Sequence, residues 1–267
     1  MTVWLNGDWL DDAAAGAAPN DRGLLLGDGL FETLRFSGGR VMRLAAHEQR
    51  LRASCAALGM DCPLDQITLA PLIEELAGRN GLSDAAIRLT LTAGVGERGL
   101  ARPVATMPSC LITTAPLATP PAAITLATST LRRSATSIAA RHKTLSYIDN
   151  VMARREARAA GADMALLLDT EDNLSGADCA NLFWRRDGRL FTPLLDCAVL
   201  PGTVRAALIA GLEVEQGRFA VSELADARCV FVTNALMGAV RVSQLDGRHI
   251  GRDGRLPAEV AALLGEA

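Results

Sequence analysis

The chain has 267 residues, of which 49% are hydrophobic and 21% charged, and its formal net charge is -3. That is enough apolar sequence to bury one large core or two modest ones. It excludes a broad basic field for nucleic acid and, with no apolar run of bilayer length, a membrane-spanning helix, which leaves a small molecule as the expected partner. The N-terminal run MTVWLNGDWLDD lacks a basic stretch followed by an apolar core, so it is not read as a secretory leader and the expected location is the cytoplasm. Six scattered cysteines without a C-x-x-C pair suggest neither a zinc site nor a disulfide framework, and no metal is expected.

In chain order, Val3, Leu5, Trp9 and Leu10 flank Asn6-Gly7, a dipeptide suited to the positive φ angles of a tight hairpin turn. A second turn is expected at Asp28-Gly29, ahead of a strand through Phe31, Thr33 and Leu34 that ends at Ser37-Gly38-Gly39. Leu44, Leu51, Cys55 and Leu58 recur at helical spacing and Gly59 is placed to stop that helix, with His47 and Arg50 one turn apart on it. Residues 86–93 alternate as a half-buried strand, and another short strand is expected over 110–113. The three prolines of APLATPPAA then read as a linker at 115–121 between a small N-terminal domain, 1–114, and a larger domain, 122–267.

The second half starts with a strand at 124–128 and reaches RHKTLS at 141–146. Ser146 is positioned to cap a helix with Ile148, Val151, Met152 and Ala159 on its buried side and Gly161 past its end. Strands are expected at 164–169, 180–185 and 189–192, the last two joined across Asp187-Gly188. Pro201-Gly202 opens a helix from Thr203 to about Leu212, and CVFVTN at 229–234 reads as a buried strand. Hairpins are too frequent for a regular β-α-β alternation, so the expected class is α+β.

Lys143 is the only lysine, while the other 26 basic side chains are arginine. A genome that favours arginine explains the arginines. The surviving lysine has a chemical explanation, because a guanidinium is a very poor nucleophile near neutral pH whereas a desolvated amine forms an imine with a carbonyl. Gly94-Val95-Gly96-Glu97-Arg98-Gly99 matches a dinucleotide-binding pattern, but Pro103 and Pro108 exclude the long helix that must follow, and no acidic residue lies between Glu97 and Asp149. The better reading is a glycine-rich turn that exposes Arg98. A phosphate has two candidate anchors: the Arg50 guanidinium, and the backbone amides of Thr203 and Val204 at a helix start.

The runs DRGLLLGDGLFETLR (21–35), HEQRL (47–51), HKTLSYIDNVMARREA (142–157), GADMALLLD (161–169), ANLFW (180–184), FTP (191–193) and LPGTVR (200–205) resemble the class IV aminotransferase family, fold type IV of the pyridoxal phosphate enzymes. That family includes branched-chain and D-amino acid aminotransferases and aminodeoxychorismate lyase. The resemblance extends from about residue 4 to residue 250. It implies an α+β fold with a small α/β domain and a larger pseudo-barrel α/β domain that meet at the cofactor, pyridoxal 5'-phosphate, usually in a homodimer. By the same resemblance Lys143 is the lysine that binds the cofactor and moves the substrate proton, and Arg50 is the phosphate-binding arginine. Thr203 and Val204 form the first phosphate loop, Val204 through its backbone alone, and Asn234 and Ala235 match the second. Phe31 and Arg98 are expected to bind substrate, Arg98 as the carboxylate binder.

One position departs from the pattern. Five residues before Asn181 the family has a glutamate that keeps the pyridine nitrogen protonated, and here that residue is Gly176. Asp178, two residues on and on the same face of an extended strand, is the candidate to take its place. The alternatives are an altered chemistry or a chain that has given up the cofactor. The resemblance implies transfer of an amino group between a small amino acid and a 2-oxo acid, or else release of 4-aminobenzoate and pyruvate from aminodeoxychorismate. Both use the same lysine.

Overall fold

The first hairpin closes as its turn residues dictate. In a computed structural model, which describes residues 1–103 and 107–265, Asn6 and Gly7 have φ of 52° and 108°. They join β1 (Thr2–Leu5) to β2 (Asp8–Asp11). The described chain divides into two units, one of Met1–Ala118 with His142–Ser146, the other of Thr119–Arg141 with Tyr147–Ala267.

The first unit adds α1 (Arg22–Leu26), β3 (Gly29–Ser37), β4 (Arg40–Val41), α2 (Leu44–Leu58), α3 (Leu69–Arg79), β5 (Ala85–Thr92) and β6 (Ser109–Pro116). Its strands form one antiparallel sheet in the order β2-β1-β6-β5-β3-β4. The alternation read in the sequence puts Ile87, Leu89 and Leu91 of β5 inside, where they pack with Leu30 and Leu34 of β3, Leu51 and Cys55 of α2, and Ile73 and Leu76 of α3. Gly59 ends α2 in the left-handed conformation that its missing Cβ permits. β6 continues to Pro116, through the first two positions of the expected linker, and 142–146 group with this unit and not with the sequence around them.

Asp28-Gly29 is not the turn expected. Gly29 is the first residue of β3, paired with Thr92, and a Cβ there would run into the Leu91 carbonyl oxygen and the Leu145 side chain. This glycine is required for close approach within the sheet.

The second unit contains β7 (Ala123–Arg133), α4 (Ile138–Arg141), α5 (Ile148–Ala159), β8 (Met164–Asp169), β9 (Leu174–Ala177), β10 (Asn181–Arg186), β11 (Arg189–Pro193), α6 (Thr203–Gly211), β12 (Val214–Gly217), β13 (Cys229–Asn234), β14 (Gly238–Leu245), β15 (Arg248–His249) and α7 (Ala258–Leu264). Its mixed sheet runs β12-β11-β10-β13-β14-β7-β8-β9, with β15 on the outer part of β14. Asp187 and Gly188, with φ of 49° and 79°, close the β10-β11 hairpin as their sequence requires.

The helix after Lys143 departs from expectation twice. Tyr147, not Ser146, is the N-cap of α5, and no side chain caps it. Its buried residues are Ala153 and Ala157, which pack with Ala127, Ala162, Ala165 and Leu167, while Ile148 and Val151 are more than half exposed and Met152 is 40% exposed. The alanine face allows the helix axis to lie close to β7 and β8, a proximity the larger residues would prevent.

Candidate active site

Lys143 is held by its backbone. The Lys143 carbonyl accepts from Phe31 N at 2.8 Å, and Leu145 N donates to Gly29 O at 2.9 Å, so the segment lies along β3 as a short extra strand. His142 anchors it to α2 through Nδ1, 3.0 Å from the hydroxyl of the buried Ser54. The Lys143 ammonium rests 4.1 Å from the centroid of the Phe31 ring, and the Arg88 guanidinium lies 4.0 Å from the same centroid. Two cations against one aromatic ring each gain from its quadrupole. Phe31 therefore positions the amine, and Arg88, an exposed β5 residue that nothing in the sequence pattern singles out, shares the ring with it. Arg98 is exposed in the glycine-rich loop, whose carbonyls at Gly99, Leu100 and Ala101 are gathered by the buried Arg22 guanidinium.

Arg50 forms a two-pronged pair with Glu32, Nε to Oε1 at 2.8 Å and Nη2 to Oε2 at 2.6 Å. His47 Nδ1 lies 2.7 Å from the same Oε2. Burial alone would raise the Glu32 carboxyl, but the hydrogen bonds from Arg50 and His47 outweigh it and hold the group below its ordinary value. Burial lowers His47, more than Glu32 raises it, so its imidazole is neutral near neutral pH and donates through Nδ1–H. His47 and Arg50 lie one turn apart on α2 as their spacing predicts, and Glu32, which no local spacing singles out, faces them from β3.

In the second unit, Asn181 at the start of β10 donates to Leu200 O at 2.9 Å and fixes the loop that leads into α6. Gly202 is the N-cap of α6, and a Cβ there would collide with the Asn181 side-chain oxygen, so the glycine permits that close approach. Val204 is 1% exposed and its side chain packs with Phe183 and Phe231, leaving its backbone amide as the only group it can offer a ligand. Asn234 ends β13, and its side-chain oxygen accepts from Leu236 N and Met237 N at 3.1 and 2.9 Å. That oxygen is committed to the turn into β14 beside Ala235.

Asp178 does not stand ready for a ring nitrogen. It is 2% exposed, takes Arg154 Nε at 2.6 Å and Nη2 at 2.5 Å, and accepts Ala165 N at 2.9 Å. Both oxygens are engaged by groups that hold β9 and β8 together with α5. Any role of Asp178 in place of the missing glutamate would have to compete with these contacts. The pair also accounts for Arg154, whose guanidinium the hydrogen bonds to Asp178 hold above its ordinary value.

The first unit thus carries a primary amine against an aromatic ring and an arginine–glutamate pair, and the second a glycine-opened helix start, groups suited to amine and phosphate chemistry. Residues 29–245 match the family model described as amino-transferase class IV, and the chain belongs to that family, with the fold type IV architecture. It is 33% identical over 262 residues to a putative branched-chain-amino-acid aminotransferase of Methanocaldococcus jannaschii, covering 94% of this chain and 90% of that one. It is 25% identical over 260 residues to the aminodeoxychorismate lyase of Bacillus subtilis, covering 93% and 88%. The branched-chain aminotransferase of the thermophilic archaeon Thermoproteus uzoniensis, solved with norvaline, superposes with a TM-score of 0.88 at 25% identity over 100% of this chain and 95% of that one.

Proposed function

We propose that this enzyme uses pyridoxal 5'-phosphate to transfer an amino group between a small amino acid and a 2-oxo acid. The observation that carries the reading is Lys143, the sole lysine of the chain, fixed by two backbone hydrogen bonds to β3 with its ammonium on the Phe31 ring. The donor set fits a phosphate-bearing aldehyde: one primary amine, one arginine on a buried carboxylate, and a helix start whose cap is a glycine. When bound, the cofactor supplies an aldehyde that condenses with a primary amine and a ring that draws electron density away from the substrate Cα.

Lys143 is the group that holds that aldehyde and, through Nζ, the base that takes and returns the Cα proton. Phe31 orients the amine. Arg50, with its charge balanced by Glu32, and the backbone amides of Thr203 and Val204 would hold the phosphate, with the 234–235 turn as the second loop. Arg98 binds the substrate carboxylate. A homodimer in the cytoplasm belongs to the same reading.

Lyase activity on aminodeoxychorismate is the second reading, favoured by the run CANLFW and by the Bacillus subtilis relative. The greater identity to the aminotransferase relative favours the first. Purified protein supplied with the cofactor should move the amino group of a small amino acid to 2-oxoglutarate or pyruvate, and Lys143→Ala should abolish the reaction. Pyruvate released from aminodeoxychorismate without amino transfer would select the lyase, and no product in either assay would reject both.

A further inference from the structure

Gly176 lies in β9, buried, paired with Leu167 of β8. A Cβ built on it would meet Arg133 Nη1 at 3.9 Å. The carboxylate of a glutamate ends ~3–4 Å from its own Cβ by ordinary bond lengths. Arg133 Nη1 thus lies within a glutamate's reach of position 176. Arg133 is the last residue of β7, and its side chain crosses β8 to donate from Nη2 to Ala177 O at 3.2 Å. Among the described residues no carboxylate lies within ion-pair distance of Arg133, because the neighbouring Asp178 is taken by Arg154. Burial lowers the Arg133 pKa below the ordinary arginine value, by more than the nearby Tyr147, Asp178, Cys179 and Asp149 raise it.

We infer that Arg133 is the ring-nitrogen partner of this enzyme, donating an N–H to the pyridine lone pair where a carboxylate would otherwise hold a proton on it. The inference rests on the cofactor reading above. A guanidinium keeps its own proton, so a nitrogen that accepts from it stays unprotonated. A neutral ring draws less electron density than a protonated one, and the Cα proton is lost more slowly than it would be with an acidic partner. Gly176 and Arg133 act together, since a side chain at 176 would be within van der Waals contact of the guanidinium.

The test is the ring nitrogen itself. Protein loaded with pyridoxal phosphate labelled with nitrogen-15 in the ring should give a resonance in the downfield, unprotonated range. Arg133→Leu should move it further downfield through loss of the hydrogen bond, and Arg133→Lys should bring it part of the way back. A wild-type resonance in the upfield, protonated range would overturn the inference, as would one unmoved by Arg133→Leu; the wild-type spectrum alone decides if the variants do not fold. Visible absorbance of the same sample, lost in Lys143→Ala, separates the two levels of failure. Protein that takes up no cofactor through Lys143 sinks the function proposed above and this inference with it, whereas protein that takes it up with a protonated ring nitrogen sinks this inference alone.

Discussion

Asp178→Asn separates a structural carboxylate from a cofactor-binding one. The carboxylate is 2% exposed and satisfies Arg154 at 2.6 and 2.5 Å and Ala165 N at 2.9 Å. Breaking a buried pair by removing one charge costs about 3–5 kcal/mol. Two features reduce that here. The Arg154 side chain is 33% exposed and regains water, and asparagine retains one oxygen for the Ala165 amide. A loss of about 2–3 kcal/mol remains. With unfolding entropy near 2.1 cal/mol/K per residue, a chain of 267 residues loses roughly 4–5 °C in Tm, and more if the second unit melts separately. Differential scanning calorimetry of wild type and variant measures the shift, and the ring-nitrogen resonance of the loaded variant should match wild type. A variant that keeps its Tm but alters that resonance would refute the structural assignment and return Asp178 to the cofactor.

The cluster of Glu32, His47 and Arg50 sets an acid limit. Unfolded His47 takes a proton near its ordinary 6.5, while the folded form resists until lower pH, and Glu32 behaves likewise below 4.5, so the unfolded chain binds more protons and stability falls as pH drops through that window. Urea midpoints should decline from about pH 6.5 downward, with a smaller decline in His47→Gln; a flat profile between about pH 7 and about pH 5 would contradict the assignment. On α5, Ala153→Leu should cost about 1–3 kcal/mol in the urea midpoint because its face touches the sheet. Val151→Ser on the exposed face should stay within about 0.5 kcal/mol, and the reverse ranking would mean the helix is rotated.

Local chemistry carried much of this molecule in its sequence. Asn6-Gly7 and Asp187-Gly188 close hairpins because few other dipeptides tolerate positive φ at both positions, and α2 spans Leu44–Leu58 because its apolar spacing and Gly59 leave little choice. The proposed reactive amine is legible for a similar reason: only one side chain in the chain has that chemistry. Tertiary structure decided what depends on neighbours distant in sequence. Alanines and larger apolar residues share α5, and only the distance of β7 and β8 determines which face is buried. Asp178 and Arg133 are ordinary charged residues in the sequence, and their contacts follow from strand order. Arg133 reaches β9 because β8 lies between β7 and β9, which brings its guanidinium beside Gly176 across 43 positions of chain. Spacing along the chain fixes which side chains share a face, but the reach of a long side chain across a sheet depends on how the strands are ordered.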